Sequence, residues 1–117
     1  MILGQHLLLE CYACASDVLD NIQQIEALLV KVAKQLNYTI VTTSFHKFAP
    51  QGVSGVVVIQ ESHISLHTWP EYNYAAVDIF TCGQNMDIEL AKELLQEGLQ
   101  SGKIETKLVE RGSKVQI

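Results

Sequence analysis

The residue types best suited to chemistry gather in one stretch, Gln60-Glu61-Ser62-His63-Ile64-Ser65-Leu66-His67, with Ser54 before it and Cys82 beyond it. A hydroxyl or thiol is a nucleophile once a base takes its proton, and an imidazole is a base that is largely neutral at pH 7. Strand spacing decides whether these groups meet. If Trp69 and Ala75 flank the loop between two strands, Ser62 falls opposite Cys82, roughly 5 Å apart at Cβ. If Gln60 and His63 flank a turn at Glu61-Ser62, Ser54 falls opposite Trp69 and Val56 opposite His67. Ser54 and His67 are then diagonal neighbours on one face. Tight hairpin turns favour Asn-Gly or Gly-X because their central residues take positive φ. Glu-Ser there predicts a strained peptide, storing ~1–3 kcal/mol, beside two hydroxyls, a thiol and an imidazole. One conflict remains: ideal alternation puts His67 and Cys82 on opposite faces. A bulge near Thr81-Cys82-Gly83 or a broken turn at Ser62 is needed to unite them.

The remaining candidates read as structural. Cys11-Tyr12-Ala13-Cys14 has redox-motif spacing, but Cys11 lies inside a strand pattern rather than at a helix start, and no second pair or nearby histidine completes a zinc site. Both cysteines are expected as small buried hydrophobes. His6 and His46 are isolated, and the spacing of His63 and His67 unites ligands on a helix, not on a strand. No metal site is expected. Gly52-Val-Ser-Gly55 lacks the lysine and following helix of a phosphate loop, and reads as a turn plus a strand bulge.

The elements that must position these residues follow from periodicity. Leu7 to Tyr12 reads as a strand. Val18, Ile22, Ile25, Leu29, Val32 and Leu36 form one helical stripe, capped by Ser16 or Asp17. Thr39–Phe48, Val53–Gln60, His63–Trp69 and Ala75–Thr81 read as strands, separated by the Ala49–Gly52 turn, the Glu61-Ser62 turn and a loop at Pro70–Tyr74. A second helix starts near Met86-Asp87, carries Ile88, Ala91, Leu95 and Leu99 on one side, and ends at Ser101-Gly102. Lys103 to Glu110 is the last strand. The order β-α-β-β-β-β-α-β predicts an α+β, two-layer sandwich: a mostly antiparallel sheet with both helices on one face. The two halves read as a weak internal repeat. The uncovered face, rich in Val, is expected to need a partner.

Composition sets limits. The 117 residues predict one domain, and 48% hydrophobic against 18% charged residues excludes a disordered chain. Eight basic against thirteen acidic residues, a net charge of −5, argue against a nucleic-acid binder. No apolar run spans a membrane. The start, Met1-Ile-Leu-Gly-Gln-His6, lacks signal-peptide features, and three cysteines suggest reduced thiols in the cytoplasm.

The run Gly52 to Glu71, with Glu61-Ser-His followed by His67-Thr-Trp-Pro-Glu71, and then Ala75 to Gly83 with Phe80-Thr-Cys-Gly, resembles the short prokaryotic form of the S-adenosylmethionine decarboxylase proenzymes. The resemblance runs from about Gly4 to Arg111, with no departure at a catalytic position. It implies a cytoplasmic, self-processing lyase that makes its own pyruvoyl cofactor from Ser62, with no metal and no pyridoxal phosphate, for spermidine biosynthesis. Ser62 Oγ attacks the Glu61 carbonyl. Loss of the Ser62 Cα proton to His67 then eliminates the Glu61 carboxylate, and Ser54 hydrogen-bonds the processing intermediate. The products are a β chain, residues 1–61, and an α chain, residues 62–117. The pyruvoyl group forms a Schiff base with S-adenosylmethionine and draws in the electrons left by CO₂ loss. The resemblance further implies that Cys82 is the proton donor in catalysis, that Phe48 and Trp69 line the adenosine site, and that Glu71 binds the ribose hydroxyls. Ordinary core is the competing reading for Phe48 and Trp69. Larger relatives resemble two such units fused, which implies a homodimer of αβ units. Two other readings stand beside this one: a pyruvoyl decarboxylase of arginine or another basic amino acid on the same scaffold, and a catalytically silent regulatory homologue.

Overall fold

A computed structural model describes residues 2–83 and 85–116. Its elements are β1 (Gly4–Tyr12), α1 (Ser16–Leu19), α2 (Ile22–Gln35), β2 (Ile40–Lys47), β3 (Val53–Ile59), β4 (Ser62–Trp69), β5 (Tyr74–Thr81), α3 (Ile88–Leu99) and β6 (Lys103–Arg111). Alternation shapes the sheet. Leu7, Leu9 and Cys11 of β1, Val57 and Ile59 of β3, Ile64 and Leu66 of β4, and Val77 and Ile79 of β5 are buried, while their neighbours in sequence face the other way. Ile25, Leu29 and Val32 of α2 and Ala91, Leu95 and Leu99 of α3 close over that buried side. The result is one antiparallel sheet of six strands, ordered β2-β3-β4-β5-β1-β6, with both main helices on one face. This is the expected architecture.

Local details depart from expectation for identifiable reasons. The first helical stripe is broken at Asp20-Asn21, because the Asn21 side chain accepts from the Gln24 N–H at 3.0 Å and starts α2 afresh. Neither Ser16 nor Asp17 is a cap: Ala15 precedes α1, without a side-chain cap. At the far end of α3 the left-handed residue is Gln100, φ 51°, not Gly102. Gly55 forms no bulge; it pairs regularly with Phe45 and Leu66, and the register shift lies in β2 between Ile40 and Thr42. A glycine is required at 55 because a Cβ there would stand 1.9 Å from the Phe45 ring.

The uncovered face is more polar than its valines suggested. Val56, Val58, Leu8 and Phe80 are half-buried on it, interleaved with His6, His63, Ser65 and Asp78.

Candidate active site

The β3–β4 turn is Gln60-Glu61, flanked by Ile59 and Ser62, one residue earlier than the spacing suggested. Ser62 therefore opens β4 rather than occupying the turn, and it carries the strain: its φ is 152°, in a region that side chains other than glycine rarely adopt. The residue before it is held at two points. The Glu61 side chain accepts from the Thr39 N–H at 3.1 Å, and its main-chain carbonyl accepts from the Cys82 N–H at 3.0 Å. A carbonyl that receives an N–H is polarised toward attack, and the peptide concerned is Glu61–Ser62.

The β4–β5 register is also one residue away from expectation. Ser62 pairs with Thr81, and Trp69 pairs with Tyr74 instead of standing across from Ala75. Pro70–Tyr72 coils into a 3-10 turn and Asn73 takes φ 52°, so the connection needs one residue fewer. Tyr74 is drawn into the strand by its ring contacts with Trp69 and Tyr12 and its hydroxyl's 2.5 Å bond to Glu10. A one-residue slip exchanges the two faces. It gives Cys82 the parity of Phe80 and Asp78, the face that His67 occupies, so the expected conflict disappears without a bulge. Cys82 lies just past β5 as an exposed, free thiol.

A second group stands at the other end of β4. Ser54 and His67 pair directly, not diagonally, and Ser54 Oγ lies 2.8 Å from His67 Nδ1. They share a cleft of about 290 Å³ with Phe48, Gly52, Trp69 and Glu71. Phe48 is 45% and Trp69 40% exposed, so neither is a core residue. A larger cavity, about 570 Å³ between Leu8, Glu10, Glu105, Thr106 and Lys107, lies on β1 and β6 and is lined by no imidazole, thiol or aromatic ring. The smaller cleft is the better candidate for binding.

The two groups do not gather around one turn as expected. Ser62 and His67 are five strand residues apart, roughly 16 Å at ~3.3 Å per residue, and Trp69 is farther still. Within one chain, the Glu61–Ser62–Cys82 group and the Ser54–His67 cleft remain separate.

A cluster that sequence spacing missed lies between them on the open face. His6 Nε2 is 2.6 Å and His63 Nε2 3.2 Å from Asp78 Oδ2, and Ser65 Oγ donates to Oδ1. Burial opposes ionisation of Asp78, but the bonds from Ser65, His6 and His63 outweigh it and hold its pKa below the usual value. The ligand atoms of His6, His63 and Asp78 lie within 4.8 Å of one another. Arg111 Nη1, which can only donate, is 3.1 Å from His6 Nδ1. That nitrogen is therefore the acceptor, and the ring proton is on Nε2, pointing at Asp78. A metal on Nε2 would move the proton to face the guanidinium, so the group is a hydrogen-bonded network. The signal was the shared cross-strand partner Phe80, opposite both His6 and His63. Cys11 and Cys14 are buried as expected, and burial pushes the Cys11 thiol up to about 12.

Residues 5–112 match the profile of the family described as S-adenosylmethionine decarboxylase. The chain belongs to that family. It is 51% identical over 110 residues to the S-adenosylmethionine decarboxylase proenzyme of Thermotoga petrophila, covering 94% of this chain and 85% of the relative. It is 49% identical over 111 residues to the proenzyme of the same name from Pseudomonas aeruginosa, covering 95% of this chain and 69% of that one. The crystal structure of the adenosylmethionine decarboxylase from Aquifex aeolicus superimposes with a TM-score of 0.88 at 34% identity, covering 99% of this chain and 96% of that one. Both residue groups, from Phe48 to Cys82, fall inside the stretch matched to the S-adenosylmethionine decarboxylase family.

Proposed function

We propose that this chain is a proenzyme that cuts itself between Glu61 and Ser62 and then decarboxylates S-adenosylmethionine. The activity follows from the family, and the observation that carries the reading at this chain's residues is Ser62 at φ 152° directly after a carbonyl held by the Cys82 N–H. Ser62 Oγ adds to the Glu61 carbonyl carbon, and the Cys82 N–H stabilises the developing oxyanion. The C–N bond breaks, leaving an ester on Ser62 Oγ and a free Ser62 amine. Removal of the Ser62 Cα proton expels the Glu61 carboxylate, and hydrolysis of the resulting dehydroalanine releases ammonia and leaves a pyruvoyl group on residue 62. The chain would then be two, 1–61 and 62–117.

These residues fit the pyruvoyl group implied by the family: a serine with a polarised preceding carbonyl is its precursor, and no group from outside is required. Once formed, it supplies the electron sink for the carbanion left by CO₂ loss. Cys82 supplies a proton to that carbanion through its exposed thiol. Phe48 and Trp69 offer aromatic faces to the adenine and the sulfonium, and Glu71 accepts from the ribose hydroxyls. In the tautomer with the proton on Nδ1, His67 donates to Ser54 and keeps Nε2 as the base for processing.

The separation of the two groups leads to a partner copy. We propose an (αβ)₂ homodimer in which Ser62 and Cys82 of one copy face the Ser54–His67 cleft of the other. A two-fold that reverses the direction of β4 brings its first residue to the partner's last. No helix among the described residues is long and apolar enough to cross a membrane. The three unpaired thiols support a place in the cytoplasm. Release of labelled CO₂ tests the substrate: S-adenosylmethionine should be decarboxylated and arginine should not, and the reverse would move the assignment to a basic amino acid.

A further inference from the structure

The cleft owes its shape to a residue outside it. The segment that carries Phe48 connects Lys47, the last residue of β2, to Gly52, just before β3. One oxygen holds both of these ends: Asp20 Oδ1 accepts from the Gly52 N–H at 2.8 Å and pairs with Lys47 Nζ at 2.9 Å. Lys47 Nζ also donates to the Phe48 carbonyl at 3.0 Å, and the Phe48 N–H donates to the Gly52 carbonyl at 2.8 Å. The adjacent residue extends the tether. The Leu19 carbonyl accepts from Thr68 Oγ at 2.8 Å, and that oxygen accepts from the Val53 N–H at 2.8 Å. Thr68 is buried between His67 and Trp69, so the end of α1 is fastened to both walls of the cleft. Glycine is needed at position 52, because its φ is 107° and a Cβ would stand 3.2 Å from the Thr68 carbonyl.

We infer that Asp20 is a positioning residue for substrate binding, holding the Phe48 segment so that the aromatic face is already in place when the adenosine part of S-adenosylmethionine arrives. The inference rests on the reading of the cleft as the nucleoside site. Loss of the carboxylate frees the segment, and the cost of ordering it is charged to binding rather than to chemistry. The Asp20 side chain bonds to Gly52 and Lys47, whereas His67 is held by Ser54, so the base for self-cleavage keeps its place when the carboxylate is lost.

The test uses the self-cleaved protein and two readouts. Trp69 is the only tryptophan in the chain and lines the cleft, so its fluorescence reports occupancy by 5′-methylthioadenosine, a nucleoside thioether that cannot be decarboxylated. Asp20→Ala should weaken this binding and raise the KM for S-adenosylmethionine by about fivefold, with kcat within about twofold and cleavage complete. Asp20→Asn keeps an acceptor for Gly52 and should recover part of the loss. Phe48→Ala should raise both quantities more. Unchanged Kd and KM in Asp20→Ala beside a large effect of Phe48→Ala would overturn the role of Asp20 and leave the cleft standing. No effect of Phe48→Ala would overturn the nucleoside site and this inference with it. If Asp20→Ala does not fold, Asp20→Asn and Lys47→Met decide, and native binding in both would overturn the proposal.

Discussion

Under the proposed function Cys82 has one role through its backbone and another through its side chain, and the two are separable. Its N–H reaches the Glu61 carbonyl, whereas its thiol stands exposed beyond β5. Cys82→Ala keeps the N–H and loses the thiol. It should therefore cleave as the native chain does and lose decarboxylation by roughly 10²-fold or more, the usual scale for a missing acid. Gel analysis and CO₂ release read the two effects independently; an uncut but folded Cys82→Ala would move the thiol into maturation. Ser62 allows a second separation. Ser62→Ala and Ser62→Gly both lack the nucleophile, but only glycine takes a φ of 152° without strain. The uncut Gly variant should be more stable than the uncut Ala variant by about 1 kcal/mol, after allowing for glycine's greater unfolded-state freedom. Equal melting of the two would mean that residue 62 stores no strain.

At the level of elements, what sequence patterns revealed and what they missed divide along physical lines. The order of strands and helices was legible because each buries one periodic face, as Ile64 and Leu66 of β4 and Leu95 and Leu99 of α3 do. Glu61, Ser62, His67 and Cys82 stood out in the sequence as residue types suited to the proposed chemistry. Register was not legible. It turned on Tyr74, which joins β5 because Tyr12, Trp69 and Glu10 surround it, and all three of those partners lie on other strands. The His6–Asp78–His63 network was hidden for the same reason: its members come from three strands. The separation of Ser62 from His67 was in plain view, since strand length alone sets it, but hairpin pairing drew attention to neighbours across strands. Gly55 offers a check on the packing that fixes β2 against β3. Gly55→Ala would drive a methyl into the Phe45 ring and should cost about 1–3 kcal/mol by denaturant unfolding, with much of the loss recovered by Phe45→Leu. No loss in the single variant would mean that Phe45 is free to move aside.

For the whole molecule, one chain has the parts of a site but not their assembly. The outer sheet face mixes half-buried Val56, Val58 and Phe80 with the Asp78 network, a pattern suited to a contact that buries about 800 Å² per copy. Mixing a Ser62→Ala protein with a Phe48→Ala protein tests whether each site is shared. In a mixed dimer one site has both defects and the other has none, so activity at low substrate should rise to roughly a quarter of native under statistical pairing. No recovery after confirmed subunit exchange would confine each site to one copy, and a monomeric mass in solution would remove the dimer from the account.

The predictions about activity all depend on one bond. The mass of the purified protein under denaturing conditions, followed over prolonged incubation without protease, addresses that bond directly. Two chains should appear, residues 1–61 ending in a free Glu61 carboxylate and residues 62–117 beginning with a ketone in place of an amine, the second refractory to sequential amino-terminal degradation. A single intact chain, or a 62–117 fragment that begins with an unaltered serine, would contradict self-conversion at Glu61–Ser62.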